Sequence, residues 1–294
     1  MANLGCGYDV LGLAIDGPGD EVVVREGEGT EGIVITQITG DDGLLPQEAA
    51  KNTAGIAAQK VLDRLGIGGS FEMEIHKKMP FGSGLGSSAA SAVAGAFAMN
   101  ELLGAPLERR DLLEAAMHGE EYASKAWHAD NVAPCLLGGI CLVRDNNSFD
   151  VLNLPVPEDL WLTVLYDPSI EILTAEARER VPKEVPTNIA TTQAANLASF
   201  VSALYEKDFT LMSRAMVDRI AEPTRQPLIS SFEASRQKAM EAGALAFGIS
   251  GSGPSLYALS HGQVSAHNVA KAFDSQEIEV YVSRVNTKGA VRLA

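Results

Sequence analysis

The chain has 294 residues, 46% hydrophobic and 21% charged, which is enough apolar material for one large core or two ordinary ones and too much for a disordered protein. Its net charge of −15 argues against a protein that grips nucleic-acid backbones or anionic membranes, and a polyanionic ligand would need local donors, a metal ion or a few placed Lys/Arg. Cys6, Cys135 and Cys141 have neither metal-ligand spacing nor an even disulfide count and read as reduced thiols. With no basic leader and no apolar span of membrane length, a soluble, cytoplasmic protein is expected.

In chain order, alternating or β-branched runs predict strands at 21–25, 32–38 and 70–77, and helical patterns cover 52–65, 87–103 and 107–125. GGICLV (138–143) and LWLTVLY (160–166) read as buried strands. LNLPVPED (152–159) between them, with its prolines, reads as the crossing between two halves. The stretch 174–242 is helix-rich, with a capping box at Ser230 and Glu233 and a stop at Gly243. A strand, glycine loop and strand (245–259), a helix (264–272) and a strand (277–285) close the chain. Because strands and helices do not alternate regularly, α+β is favoured over a doubly wound sheet, as two lobes spanning 1–154 and 155–294.

The segment PFGSGLGSSAAS (80–91) carries the strongest chemical signal. Gly82, Gly84 and Gly86 let the backbone turn tightly and approach a ligand, and Ser87 and Ser88 open an alanine-rich helix. Unpaired N–H groups and the positive end of the helix dipole then converge on one spot, an anion site whose commonest ligand is a nucleotide phosphate. The bland alternative is a Gly/Ser linker before a packed helix. No lysine follows Gly86 as a Walker loop requires, and no acid stands about 20 residues on as the dinucleotide fingerprint requires.

Two more glycine loops frame the chain, ANLGCGYDVLG (2–12) and GISGSGPSLYAL (248–259), which alone would read as a turn and a bulged hairpin. Together the three segments resemble the three motifs of the GHMP kinases, in the family's order. In the central one, Pro80, Gly84, Leu85, Gly86, Ser87, Ser88 and Ala89 fill every fixed place of P-x-x-x-G-L-G-S-S-A. Asn3, Leu4, Gly5, Gly7, Tyr8, Asp9 and Gly12 match the homoserine kinase form of the first, and His128, Asp130, Asn131, Val132, Ala133 and Pro134 match that branch's H-x-D-N-V-A-P. TAEARERVP (174–182) and AEPTRQPLI (221–229) are similar to two further stretches of it, with Val181 and Thr224 as mild departures. Members carry a first strand before the first motif, whereas this chain starts inside it, so the resemblance leaves that strand truncated or supplied differently.

The resemblance implies a two-lobed α+β fold, with an N-terminal ribosomal S5 domain 2-like lobe and a C-terminal ferredoxin-like lobe. It further implies ATP-dependent phosphorylation of L-homoserine on the route to threonine, with Mg²⁺ as cofactor and a homodimer as the assembly. Loop residues Pro80, Phe81, Gly82, Ser83, Gly84, Leu85, Gly86, Ser87, Ser88, Ala89 and Ala90 would hold the triphosphate, Ser88 (or Ser87) and Glu120 the Mg²⁺, and Asn52 the adenine, unless Asn52 is a helix N-cap. Lys77 or Lys78 would either reach a phosphate or merely flank a strand. Asp9 would take the substrate ammonium and Arg178 and Arg225 its carboxylate, while Asn3, His128 and Asn131 orient the reacting end.

In mevalonate and galactose kinases an aspartate stands where Asn131 does, so Asn131 and Arg178 are the catalytic candidates in a transfer without a strong base. Asp130 is expected to point elsewhere. The alternatives are a GHMP kinase for another small alcohol and a catalytically silent nucleotide-binding homologue.

Overall fold

The computed structural model describes residues 1–274 and 277–293. The first part of the chain forms β1 (Leu11–Leu13), β2 (Glu21–Glu26), β3 (Gly32–Thr39), α1 (Thr53–Leu65), β4 (Ser70–His76) and α2 (Ser87–Leu102). Next come α3 (Leu112–Ser124), α4 (Ala129–Leu137), β5 (Ile140–Asp145), β6 (Asp150–Leu154) and β7 (Leu160–Tyr166). The remainder supplies α5 (Thr174–Glu179), α6 (Thr187–Glu206), α7 (Phe209–Ala215), α8 (Glu222–Arg225), α9 (Phe232–Glu241), β8 (Ala246–Ile249), β9 (Leu256–His261), α10 (Gln263–Ala272) and β10 (Glu279–Arg284). No helix among the described residues is long and apolar enough to cross a membrane.

Among the described residues three sheets form, ordered β1-β5-β6, β2-β4-β3 and β10-β7-β9-β8, and only the β3–β4 pairing is parallel. This mixture is the α+β arrangement expected. The region 152–159 is not wholly a crossing. Its first residues complete β6, where Leu152 pairs with Leu142 and Leu154 with Ile140, and the strand stops at Pro155 because proline cannot extend the ladder. No capping box forms at Ser230. Helix α9 starts one residue later, behind Ser231, with no side-chain cap, and Glu233 instead accepts from Gln226.

Helices α1, α2 and α3 meet along small side chains: Ala54, Ala57, Ala58, Ala92, Ala96, Ala115 and Ala116 are all buried. A Cβ on Gly119 of α3 would stand 2.5 Å from the Thr53 carbonyl oxygen, so only glycine allows this approach, which sets Glu120 facing the start of α2.

The N-terminal loop is wedged into a second core. Leu4, Leu11 and Leu13 lie against Leu162, Val164, Phe200 and Tyr257 from the second half of the chain. Asn3, Leu4 and Asp9 adopt positive φ (76°, 41° and 58°), a cost of about 1–2 kcal/mol per residue that Asn and Asp bear best. Full burial of three leucines contributes about 1.5–3 kcal/mol each, so packing outweighs the backbone strain and fixes Asn3 and Asp9 at the cleft.

Candidate active site

The three glycine loops come together around a cavity of about 280 Å³. The central loop turns through positive φ at Gly82, Gly84 and Gly86 before α2. A Cβ on Gly84 would stand 2.5 Å from the Ser250 carbonyl oxygen and 2.7 Å from that of Gly253, so glycine is what lets the third loop pack on the central one. Ser250 Oγ donates to the Gly84 carbonyl (2.8 Å) and the Ser255 amide to that of Ser83 (3.0 Å). The third loop also holds the first, since the Gly251 amide donates to the Ala2 carbonyl (3.1 Å) and Asn3 Nδ2 to the Gly251 carbonyl (2.9 Å).

One wall carries an ion pair spanning most of the chain. Arg178, on α5, donates to both Asp9 oxygens, Nη1 to Oδ2 at 3.1 Å and Nη2 to Oδ1 at 3.2 Å. Arg178 Nη1 also lies 3.1 Å from His128 Nε2. A guanidinium is donor-only, so this contact makes Nε2 the acceptor and puts the imidazole proton on Nδ1. Burial pushes the His128 pKa below its ordinary value, more than the neighbouring Asp9 raises it, and Arg178 adds to the lowering. The ring is neutral at pH 7.

Arg225 reaches the same wall with part of its fork spent, Nη1 on the Gly251 carbonyl (2.7 Å) and Nε on that of Ala177 (3.4 Å), over the Tyr8 ring. The Asn3 amide is spent too: its Oδ1 accepts from the Asp9 backbone amide (3.0 Å), so Asn3 braces Asp9.

The first turn of α4 and the end of α3 also line the cavity. Asn131 Oδ1 is buried without a partner and faces the helix start, where a Cβ on Gly86 would stand 2.7 Å from it. Asp130, expected to point elsewhere, lines the cavity as well; burial, seconded by Asp9, pushes its carboxyl up to about 7. Glu120 is 7% exposed, and burial raises its carboxyl to about 7 against the opposing influence of the Ser88 and Ser124 hydroxyls and the charge of Lys77. Glu121 lies outside, near His118 on the surface.

Among the described residues, seven buried side-chain polar atoms have no hydrogen-bond partner, and Glu120 Oε2, His128 Nδ1, Asn131 Oδ1 and Arg178 Nε belong to residues of this one cavity. Buried polar groups are almost always bonded, so four unbonded ones converging on a cleft mark a ligand site. A larger cavity of about 830 Å³ beside β2 and α2 is lined by none of the seven.

The structure divides the loop residues. Phe81, Gly82, Ser83, Gly84, Gly86, Ser87 and Ser88 line the cavity. Pro80, Leu85, Ala89 and Ala90 do not. Leu85 and Ala89 are buried in the two cores, the Leu85 amide is turned to Ser83 Oγ (3.4 Å), and the Ala90 amide is bonded to the Gly86 carbonyl (2.9 Å). Ser87 Oγ takes a bond from Lys77 Nζ (2.7 Å), whereas the Ser88 hydroxyl stands on the Glu120 side and works against the rise in its pKa, which separates the two hydroxyls. Asn52 is a helix cap: it is 2% exposed, accepts from the Ala54 amide (3.0 Å) and donates to the Pro46 carbonyl (3.1 Å), and it does not line the cavity. Gly251, Ser252 and Thr174 also line the cavity; a match to the third glycine motif was the only sequence signal for the first two.

Residues 52–139 match the family model of the GHMP kinases N terminal domain, and residues 200–279 match that of the GHMP kinases C terminal. The chain belongs to the GHMP kinase family, and so to a class of phosphotransferases that use ATP. Within it the chain is similar over its length to homoserine kinases. One from Chlorobium phaeobacteroides (strain BS1) is 40% identical over 99% of this chain and 96% of its own length, and one from Chlorobaculum tepidum is 39% identical over 99% and 94%. The crystal structure of homoserine kinase from Cytophaga hutchinsonii superposes with a TM-score of 0.93 at 48% identity, covering 98% of this chain and 93% of that one. The Methanococcus jannaschii mevalonate kinase, 17% identical with a TM-score of 0.74 over 97% and 94%, shares the fold.

Proposed function

We propose that this chain transfers the γ-phosphoryl group of ATP to the side-chain hydroxyl of L-homoserine, giving O-phospho-L-homoserine. The observation that carries the reading is the Asp9–Arg178 pair, an internal ion pair at the wall of the cavity. A zwitterionic amino acid exchanges partners with such a pair, its ammonium taking Asp9 and its carboxylate taking Arg178 and Arg225, so no charge is left alone. A substrate with only one charge strands the other.

The amides at the start of α2 and the loop before it hold the triphosphate. A magnesium ion fits the donor set: Glu120 presents a buried, unpartnered carboxylate oxygen beside the Ser88 hydroxyl, both hard oxygen donors, though no group of three His, Cys, Asp or Glu stands together among the described residues. When bound, such an ion neutralises phosphate charge. Asn131 and the Nδ1–H of His128 orient the substrate hydroxyl for in-line attack, and Arg178 adds positive charge beside them. The transition state is loose, with little bonding to the nucleophile, so positioning and charge supply the acceleration and the proton leaves late.

The same reading places the lobe division at 154/155, the enzyme in the cytoplasm, and its assembly as a homodimer. The test is ADP release from ATP and Mg²⁺ with L-homoserine, D-homoserine, mevalonate and no acceptor. Turnover confined to L-homoserine supports the reading. Turnover with mevalonate alone keeps the fold and discards the clamp, and no turnover with any acceptor leaves a silent homologue.

A further inference from the structure

Asp20, just before β2, lies outside the cavity and has no part in the scheme above, yet its side chain is wholly buried at the base of the phosphate loop. Oδ1 accepts from the backbone amides of Lys78 (3.0 Å) and Met79 (3.1 Å), the residues that lead into the loop. Oδ2 accepts from Ser91 Oγ (2.8 Å), on the first turns of α2 that follow the loop, and pairs with the ammonium of Lys77. Lys77, whose side chain is 1% exposed, lines the cavity and donates also to Ser87 Oγ (2.7 Å), the Ser87 carbonyl (3.2 Å) and Ser91 Oγ (2.8 Å).

One carboxylate therefore ties the two ends of the loop to each other and holds a cation at its foot. We propose that Asp20 is a positioning residue for the nucleotide: it clasps the ends of the 80–86 loop and fixes the Lys77 ammonium at the cavity wall, so that the loop amides stand preformed for a triphosphate. The inference rests on the nucleotide half of the function proposed above. A loop left free would have to be ordered by the ligand, and affinity would fall by the fraction of time it is competent.

The test is Asp20→Asn. An amide there keeps one acceptor but loses the charge that holds Lys77, and it turns a donor toward the ammonium. Affinity for a non-hydrolysable ATP analogue with Mg²⁺, read by calorimetry without acceptor, is expected to fall at least tenfold. The KM for ATP rises in parallel, while the KM for L-homoserine stays within about twofold. Equal weakening for both substrates, or unchanged nucleotide affinity, overturns the proposal.

Should Asp20→Asn not fold, Asp20→Asn with Lys77→Met carries the test, because replacing both members of a buried pair is better tolerated than removing one. That double variant is expected to fold and still bind the analogue at least tenfold more weakly; wild-type affinity in it reduces the pair to a stabilising role and overturns the proposal. A wild-type protein that binds the analogue but turns over no homoserine refutes the acceptor reading alone and leaves the Asp20 comparison standing.

Discussion

Replacing Asp9 by asparagine removes the negative half of the pair that the substrate is proposed to enter. In the free protein Asp9 holds Arg178 through two bonds, and the two side chains are 21% and 35% exposed, so water already screens them in part. A hydrogen bond to a charged group contributes about 1.5–3 kcal/mol; with this exposure one lost ammonium contact falls in the lower part of that range, about 1.5–2 kcal/mol, or roughly 10- to 30-fold in kcat/KM for L-homoserine. The same substitution frees Arg178 for a carboxylate. Turnover of 4-hydroxybutyrate, which is homoserine without its amine, should therefore hold or rise. The wild type should prefer homoserine over this analogue by about a hundredfold or more, and the variant by less than about tenfold. Steady-state kinetics on both substrates with both proteins reads this directly. An Asp9→Asn variant that keeps the wild-type preference would refute the partner exchange, whatever its absolute rate.

Glu120→Gln separates stability from catalysis. The Glu120 carboxyl is raised from 4.5 to about 7, so between those values the folded state holds a proton the unfolded chain has lost, and its contribution to stability falls as pH rises through that window. At pH 8 the penalty is on the order of 3 kcal/mol, and its removal should raise the melting temperature by about 5 °C, with little change at pH 4.5, while Mg²⁺-dependent turnover collapses; a melting temperature unmoved at pH 8 contradicts the burial argument. Asn131→Ala should lower kcat about 10- to 100-fold, and Asp130→Asn should leave it within about fivefold. The reverse order would make Asp130 the proton acceptor. Gly84→Ala places a Cβ 2.5 Å from the Ser250 carbonyl at a φ of +77°, which costs about 1–3 kcal/mol and pushes the two loops apart. A rise of about tenfold in the KM for ATP checks it, and an unchanged KM means that this loop contact does not shape the phosphate site.

Local chemistry is what the sequence showed well. The turn at Gly82–Gly86 and the helix after it follow from glycine and alanine at short range, and most strands followed from alternation. Helix α4 did not, because Pro134 sits inside it and its nine residues are too few for a clear helical period. Strand β6 was obscured by the proline that ends it. At the site, the residue types were legible but their partners were not. Nothing local says that Asp9 meets Arg178, that Asn3 spends its amide on Asp9 and Gly251, or that Asn52 faces inward. Asp20 carried no signal at all, since a single aspartate before a strand becomes a clasp only once β4 and α2 are folded against it.

The most direct measurement follows the phosphorus itself. The protein is incubated with ATP, Mg²⁺ and L-homoserine, and the product is read by ³¹P NMR with coupling to the side-chain methylene protons. A phosphomonoester on the homoserine hydroxyl, formed in step with ADP and about a hundredfold or more slower with 4-hydroxybutyrate, is the result predicted. Inorganic phosphate alone, or equal phosphorylation of the amine-free analogue, would contradict the proposed acceptor and the ion-pair exchange that selects it.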